Sequence, residues 1–334
     1  MKLSILDQSP IAFGKEPQDA LVESMKLAQL AEHYGYTRYW IAEHHGMKQL
    51  ASSAPEVMLS YIGAHTSTLR IGSGAVLLPH YKPYKVAEIY NLLATLFPDR
   101  IDIGVGRAPG GSAEASMALS GNFLENVRNM PDKIEELLHF LNDDFPDDHF
   151  YKKTKAAPIP NIPPAVWMLG TSVKSAKLAA MKGSGYAFGL FMSDQDGKEI
   201  INTYRSHFKP GKQLSNPYSL LTLSVICANT TEEAEEIAQL TNFWWLQSSK
   251  GIELSHLPSL KELLNYSFTN EDKIEMDARK EKLIVGNPEQ IKKQLTEIQQ
   301  KYQVDEIMIV TITYDYKSRL RSYQLIAEEI IDRS

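Results

Sequence analysis

Residues 39–45 read Tyr39-Trp40-Ile41-Ala42-Glu43-His44-His45, a short apolar run that ends on three ionisable side chains in succession. A buried strand seldom finishes on that many titratable groups unless its end opens into a site. Three later strand ends carry matching features: Gly74-Ala75, then Arg107, then Thr171-Ser172. Four consecutive strand-to-helix junctions therefore direct polar or backbone-exposing residues the same way.

Working outward, strands are expected at Leu3–Leu6, Tyr39–Ala42, Ile71–Leu78, Ile101–Val105, Ala165–Leu169, Tyr186–Phe191, Leu220–Cys227 and Glu306–Ile312. The first four are spaced by roughly 30 to 36 residues, about one βαβ unit. Between the first two, Leu27, Leu30, Ala31 and Tyr34 fall at i, i+3, i+4 and i+7, the face of a helix that Gly35 can end. Ala75-Val76-Leu77-Leu78 and Ile307-Met308-Ile309-Val310 do not alternate, as expected of parallel strands covered on both faces. Eight strands, most followed by a helix, predict an α/β fold of the (β/α)8 TIM-barrel class. A doubly wound sheet would keep a glycine-rich phosphate loop after its first strand, where this chain has Asp7-Gln8-Ser9-Pro10.

The chain reads as one barrel domain over 1–334, with insertions after strands 4 and 7. The first spans 106–164, with a helix near Asn122–Leu141 followed by an irregular stretch bearing Pro158, Pro160, Pro163 and Pro164. The second spans 228–305, with a helix from about Thr231 to Ser248 and another entered through Asn287-Pro288-Glu289. Between them, 251–283 is a candidate mobile lid.

A composition of 43% hydrophobic and 23% charged residues is that of an ordinary soluble enzyme, and a net charge of −6 gives no basic stripe for nucleic acid. The single cysteine, Cys227, reads as a buried thiol and rules out an intrachain disulfide framework. The N-terminal apolar run is too short for a signal peptide, and no stretch approaches the ~20 apolar residues of a membrane helix. A cytoplasmic protein without membrane anchoring is expected.

Glu43-His44-His45 is a poor metal site, because neighbouring strand residues face opposite ways, and the remaining histidines show no HxH or HExxH spacing. No metal is expected. A histidine there suits proton handling, with an unperturbed pKa of ~6.5. Gly104-Val105-Gly106-Arg107-Ala108-Pro109-Gly110-Gly111 fails the dinucleotide fingerprint, since Pro109 stands where its third glycine belongs. It does set Arg107, a guanidinium suited to an oxyanion, at a strand end in a glycine-rich setting open to a ligand. Leu169-Gly170-Thr171-Ser172-Val173-Lys174-Ser175 leads into a helix whose first N–H groups lack internal partners. The hydroxyls of Thr171, Ser172 and Ser175 around that positive end fit a phosphate cup, although plain N-capping by Thr171 or Ser172 also explains one of them. Gly72-Ser73-Gly74-Ala75 lies within a strand, where glycines mark a bulge or a close backbone approach, for instance by a flat aromatic ring.

Together these segments resemble the bacterial-luciferase-like family of flavin-dependent monooxygenases. The carriers are Trp40–His45, Ile71–Pro79 with Pro83, Asp99–Arg107, Thr171–Ser175 and Val285-Gly286-Asn287-Pro288-Glu289, in that order along nearly the whole chain. The opening Leu6-Asp7-Gln8-Ser9-Pro10 looks like a single-subunit branch of mostly unassigned substrate. The resemblance implies FMN, its phosphate at Arg107, Ser172 and Ser175 with Thr171 assisting, and its ring on Gly74-Ala75, a peptide often cis in the family. It implies catalysis by His44, with Glu43 and His45 as neighbours. It further implies a two-component monooxygenase: reduced FMN from a separate NAD(P)H:flavin reductase, a C4a-peroxyflavin, transfer of one oxygen to a small-molecule substrate, and a homodimer. The alternatives within the family are F420-dependent hydride transfer and non-enzymatic flavin binding. Light-emitting members have a cysteine where this chain has Gly106 and an aromatic residue where it has Gly110, so light emission and an aldehyde substrate do not carry over.

Overall fold

In a computed structural model, which describes residues 1–252, 254–280 and 282–332, alternating strands and helices close into a barrel. The strands are β1 Leu3–Asp7, β2 Arg38–Ile41, β3 Arg70–Leu77, β4 Ile101–Gly106, β5 Ala165–Gly170, β6 Gly185–Gly189, β7 Ser219–Cys227, β8 Leu283–Gly286 and β9 Glu306–Val310. The helices are α1 Pro17–Tyr34, α2 Pro55–Ala64, α3 Pro83–Leu96, α4 Ala113–Ser120, α5 Phe123–Arg128, α6 Met130–Asn142 and α7 Val173–Met181. They continue with α8 Gly197–His207, α9 Thr231–Ser249, α10 Leu260–Asn265, α11 Asn270–Lys280, α12 Pro288–Tyr302 and α13 Tyr316–Ile330. β1 to β7 pair in sequence and in parallel, β7 pairs β9 and β9 pairs β1, which closes eight strands. Among the described residues β8 pairs only with the end of β7, outside the closed circuit.

Period-two alternation sorts the side chains. Leu3, Ile5, Tyr39, Ile41, Ile71, Ile103 and Val105 face the helices in one large core. Leu6, Trp40, Ala42, Trp167, Ala187, Leu220, Met308 and Val310 fill the barrel itself. The two indoles meet edge to face at 5.4 Å, and they fit because glycines stand opposite. A Cβ on Gly72 would come within 2.8 Å of the Trp40 Nε1, and one on Gly185 would overlap the Trp167 ring.

Below the indoles the floor is ionic. Arg38 donates from Nη1 to Asp102 at 2.8 Å and from Nε and Nη2 to Glu306 at 2.8 and 3.0 Å. Asp102 also accepts from Trp40 Nε1 at 3.0 Å and from Arg70 at 2.8 Å. Glu306 accepts from Tyr218 at 2.9 Å and from Ser4. Strands β1, β2, β3, β4 and β9, with Tyr218 at the entry to β7, are thus tied at one level. Burial pushes the Asp102 pKa up, but the Arg38 and Arg70 guanidinium groups outweigh it and hold the carboxyl below its ordinary range.

Three sequence expectations shift. Leu283–Gly286 forms a strand that its four-residue length and position beside Asn287 concealed. The single helix expected near Asn122–Leu141 is two, α5 and α6, restarting where Pro131 lacks an N–H and would crowd the carbonyl one turn back. The sixth strand stops at Gly189 and passes into a 3₁₀ turn over Leu190–Met192. The insertion after β4 holds α4 to α6, and the insertion after β7 holds α9 to α12 with β8. Cys227 is a buried free thiol, and no described helix is long and apolar enough to cross a membrane.

Arg38→Met would leave Asp102 and Glu306 buried without their shared cation. A loss of about 3–5 kcal/mol is expected near neutral pH. Because the native Asp102 pKa is depressed, its contribution is present above the unfolded carboxyl value and fades as pH falls. Denaturant unfolding of the variant should therefore show a penalty that is level above about pH 5 and shrinks as pH is lowered from there toward about 2; a penalty unchanged over that range would contradict the ionic floor.

Candidate active site

The register carries β2, β3, β4 and β5 to a common upper rim. Ile41 pairs with Ser73, Val76 with Val105 and Val105 with Met168, so the residues just beyond them are neighbours. Residues 43–45, 74–75, 107 and 170–175 occupy that rim. Within β3 the register shifts between Ser73 and Val76, the Gly74-Ala75 peptide is cis, and Gly74 is partly exposed between buried neighbours. A Cβ on Gly74 would meet Leu6 Cδ1 at 2.6 Å, so the backbone here rests directly on the barrel filling.

The three ionisable residues after β2 separate. Glu43 is buried, and both its oxygens are engaged: Oε1 accepts from His45 Nε2 and Tyr81 Oη at 2.7 Å each, and Oε2 accepts the Leu77 N–H at 3.0 Å. That carboxylate joins the ends of β2 and β3. His44 does not share it. Its backbone N–H donates to Ser52 O at 3.0 Å, while its ring Nδ1 is buried without a hydrogen-bond partner. Burial, with the neighbouring His45 adding to it, lowers the His44 pKa to about 4. The imidazole is neutral at physiological pH, well below the range expected from an unperturbed histidine.

The glycine-rich turn after β4 has a packing cause. His45 N–H donates to Gly110 O at 2.8 Å, and His80 Nε2 donates to Pro109 O at 2.9 Å. A Cβ on Gly110, which has φ 71°, would overlap Leu77, and one on Gly111 would overlap His45 O. Only bare backbone lets this turn lie against the 43–45 loop. The close approach predicted here from glycine content is made by the protein's own chain. Its effect is to fix the root of Arg107.

Arg107 itself is exposed, and its Nη2 reaches 3.5 Å from Ser172 Oγ. Ser172 N-caps α7, and Ser172 and Ser175 form a reciprocal capping box with their hydroxyls 3.2 Å apart. N-capping therefore employs two of the three hydroxyls singled out in the sequence; Thr171 sits part-exposed in the turn beside them. Tyr186, which sequence reasoning passed over as a strand residue, lies behind the cup. Its Oη is 3.1 Å from Ser175 Oγ and donates to Gly170 O at 3.1 Å. A groove of about 610 Å³ opens beside the cup between α6 and α7, bordered by Arg107, Arg128, Lys174, Ser175 and Lys177. Tyr81, Tyr186 and His80 were illegible because each works through a contact made between different strand ends. Among the described residues, no three His, Cys, Asp or Glu side chains gather as a metal site.

The luciferase-like monooxygenase family model matches residues 1–304. The Bacillus subtilis (strain 168) uncharacterized protein YceB is 42% identical, with 98% of each chain aligned. The N-acetyl-S-alkylcysteine monooxygenase of the same organism is 36% identical over 99% of this chain and 98% of the relative. The crystal structure of apo-MsnO8 superposes with a TM-score of 0.85 at 34% identity, covering 98% of each chain. The barrel, its rim and these matches place the chain in the luciferase-like monooxygenase family.

Proposed function

We propose that this protein is the oxygenase component of a two-component system, binding reduced FMN at the barrel rim and oxygenating a small organic substrate with O2. The observation that carries the reading is Arg107 beside Ser172 at the N-terminus of α7, on the rim that also bears Gly74-Ala75 and His44. An exposed guanidinium, two hydroxyls and a helix N-terminus form a donor set fitted to a phosphate dianion. Gly74, part-exposed between buried neighbours, is the bare backbone on which a ring could lie. FMN, when bound and reduced by a separate NAD(P)H:flavin reductase, supplies the electrons that activate O2.

The protein's part is to place, shield and relay. Arg107, Ser172 and Ser175, with Thr171, would hold the phosphate, and Gly74 and Ala75 would support the ring. His44 is the catalytic group in this reading. As a neutral imidazole with Nδ1 unpartnered it can accept a proton on one nitrogen while releasing one from the other, without holding net charge. Glu43 and His45 act as positioning residues through the contacts to Tyr81 and Leu77. We propose 251–283, of which Glu253 and Glu281 lie outside the described residues, as the lid. Its support is the docking of Leu257 N–H on Ile11 O at 2.9 Å and of the His256 ring on Phe13 at 5.1 Å. The name of the 36%-identical relative supports thioethers among the substrates to be tried.

F420-dependent hydride transfer is the second reading, because the groove beside Arg107 and Ser175, with Arg128, Lys174 and Lys177, has room and charge for an anionic tail on the phosphate. A homodimer is also proposed, from the exposed Val57 and Tyr61 of α2 and Leu92 and Leu96 of α3. Sedimentation should give a dimer, and Leu92→Glu with Leu96→Glu a monomer; a monomeric parent chain would remove that part.

The function is tested by flavin binding and turnover. Reduced FMN should support O2 consumption whose hydrogen peroxide yield falls when a substrate is present. Arg107→Met should weaken FMN by about 10- to 100-fold and leave riboflavin, which lacks the phosphate, within about threefold. Equal losses for both flavins, or spectral reduction of F420 in place of FMN turnover, would reject this reading.

His44 gives a separate test. Its folded pKa lies below the unfolded value of ~6.5, so between the two the unfolded chain takes up a proton that the folded chain refuses, and stability falls as pH drops. Between pH 7.5 and 5 the parent should lose about 2 kcal/mol more than His44→Gln. Parallel stability curves would contradict the buried neutral imidazole.

A further inference from the structure

The ring of helices around the barrel lapses at one place. Among the described residues α1, α2, α3 and α6 pack in succession, and so do α7, α8, α12, α13 and α1, but α6 and α7 make no comparable contact with each other. The groove of about 610 Å³ beside the phosphate cup lies in that gap. Glu135 of α6 meets Lys182, just past α7, at 3.2 Å and marks the end of the gap away from the rim.

Interior and mouth of this groove differ in chemistry. Val105 and Met168 of the barrel wall, Met130 and Ile134 of α6, and Leu178 and Met181 of α7 give it an aliphatic interior. Arg107, Arg128, Lys174 and Lys177 border it, and no carboxylate lines it. On α7 the two kinds follow one stripe, Lys174, Lys177, Leu178 and Met181 at i, i+3, i+4 and i+7, charged toward the rim and apolar below. All four cations are exposed and none of them forms an ion pair among the described residues, whereas Lys182 does.

That combination selects a ligand. Unpaired cations without a nearby acid call for an anion. Ser175 is the one uncharged polar side chain in the lining, so a nucleobase or a peptide in the interior would bury donors and acceptors unmatched. No aromatic ring is there for a base to stack on. An alkyl chain has nothing to leave unpaired, and three methionines, Met130, Met168 and Met181, adapt to a flexible one. A polar tail on the flavin phosphate would use the mouth and leave the interior uncovered.

We propose that the gap between α6 and α7 binds a single-chain aliphatic acid, its chain in the groove and its carboxylate at Lys174, Lys177 and Arg128. Because Arg107 and Ser175 also line the groove, the acid and the FMN phosphate exclude one another, a consequence that rests on the flavin reading. The site would make cofactor loading sensitive to aliphatic acids.

Calorimetric binding to the full chain tests this with hexanoate, decanoate and decyltrimethylammonium. Each methylene removed from water raises affinity about fourfold, so decanoate should bind at least about twentyfold more tightly than hexanoate. The cationic probe should bind at least about tenfold more weakly than decanoate. Lys174→Glu with Lys177→Glu, and separately Met181→Asp, should each weaken decanoate by at least about tenfold. These positions are exposed, and either variant suffices if the other does not fold. Saturating decanoate should weaken FMN by at least about fivefold and riboflavin, which lacks the phosphate, by less than about twofold. No binding, indifference to chain length or to charge, variants without effect, or FMN binding unmoved by decanoate would each overturn the proposal. Binding to phosphatidylglycerol vesicles without binding of free decanoate would overturn it in favour of a membrane contact. Chain-length-dependent decanoate binding in a protein that takes up no FMN would instead reject the flavin reading and leave the groove site standing.

Discussion

Arg38, buried at the bottom of the barrel, grips Asp102 from β4 and Glu306 from β9, and the rest of the molecule is arranged above that contact. Five strands, and Tyr218 at the entry to β7, reach the same ionic knot directly or through one hydrogen bond. Apolar contacts tolerate sliding, but charged groups taken out of water do not tolerate losing their partners. The knot therefore fixes where neighbouring strands stand relative to one another. Trp40 and Trp167 lie on it and close the lower half of the barrel, so only the C-terminal ends of the strands remain to hold a ligand.

Stagger at the floor becomes geometry at the rim. The ends of β2 and β3 are joined by one carboxylate, Glu43, and the turn after β4 is pressed against the first of these by Gly110 and Gly111. The consequence is a division of labour among residues that the sequence places side by side. Glu43 and His45 are engaged by protein, His44 keeps a buried ring nitrogen without a partner, and Arg107 stands at the strand end with an exposed guanidinium that reaches Ser172. An exposed cation on a fixed support suits the anion-binding role proposed for it.

The barrel was legible because each of its eight strands carries its own apolar run, and because parallel strands buried on both faces do not alternate. Arg107 and the Thr171–Ser175 turn were legible for a local reason: a cation at a strand end and hydroxyls at a helix start announce themselves within a few residues. Tyr81, Tyr186 and the floor ion cluster were not, since their partners lie 11 to 268 residues away. The lowered pKa of His44 was equally hidden, because a sequence does not state what covers a side chain. Gly110 and Gly111 misled for a different reason. Glycine signals close approach, but not whether the approaching atoms belong to a ligand or to the chain. Strand β8 escaped because four residues beside a helix cap look like a loop.

The central claim is that four strand ends form one flavin mononucleotide site. A crystal structure of the protein with FMN diffused in tests it most directly. The account predicts the phosphate within hydrogen-bond distance of Arg107, Ser172 and Ser175, with the ring resting on Gly74-Ala75 and its reactive edge toward His44. FMN located elsewhere on the surface, or seated with its phosphate away from Arg107, would contradict it.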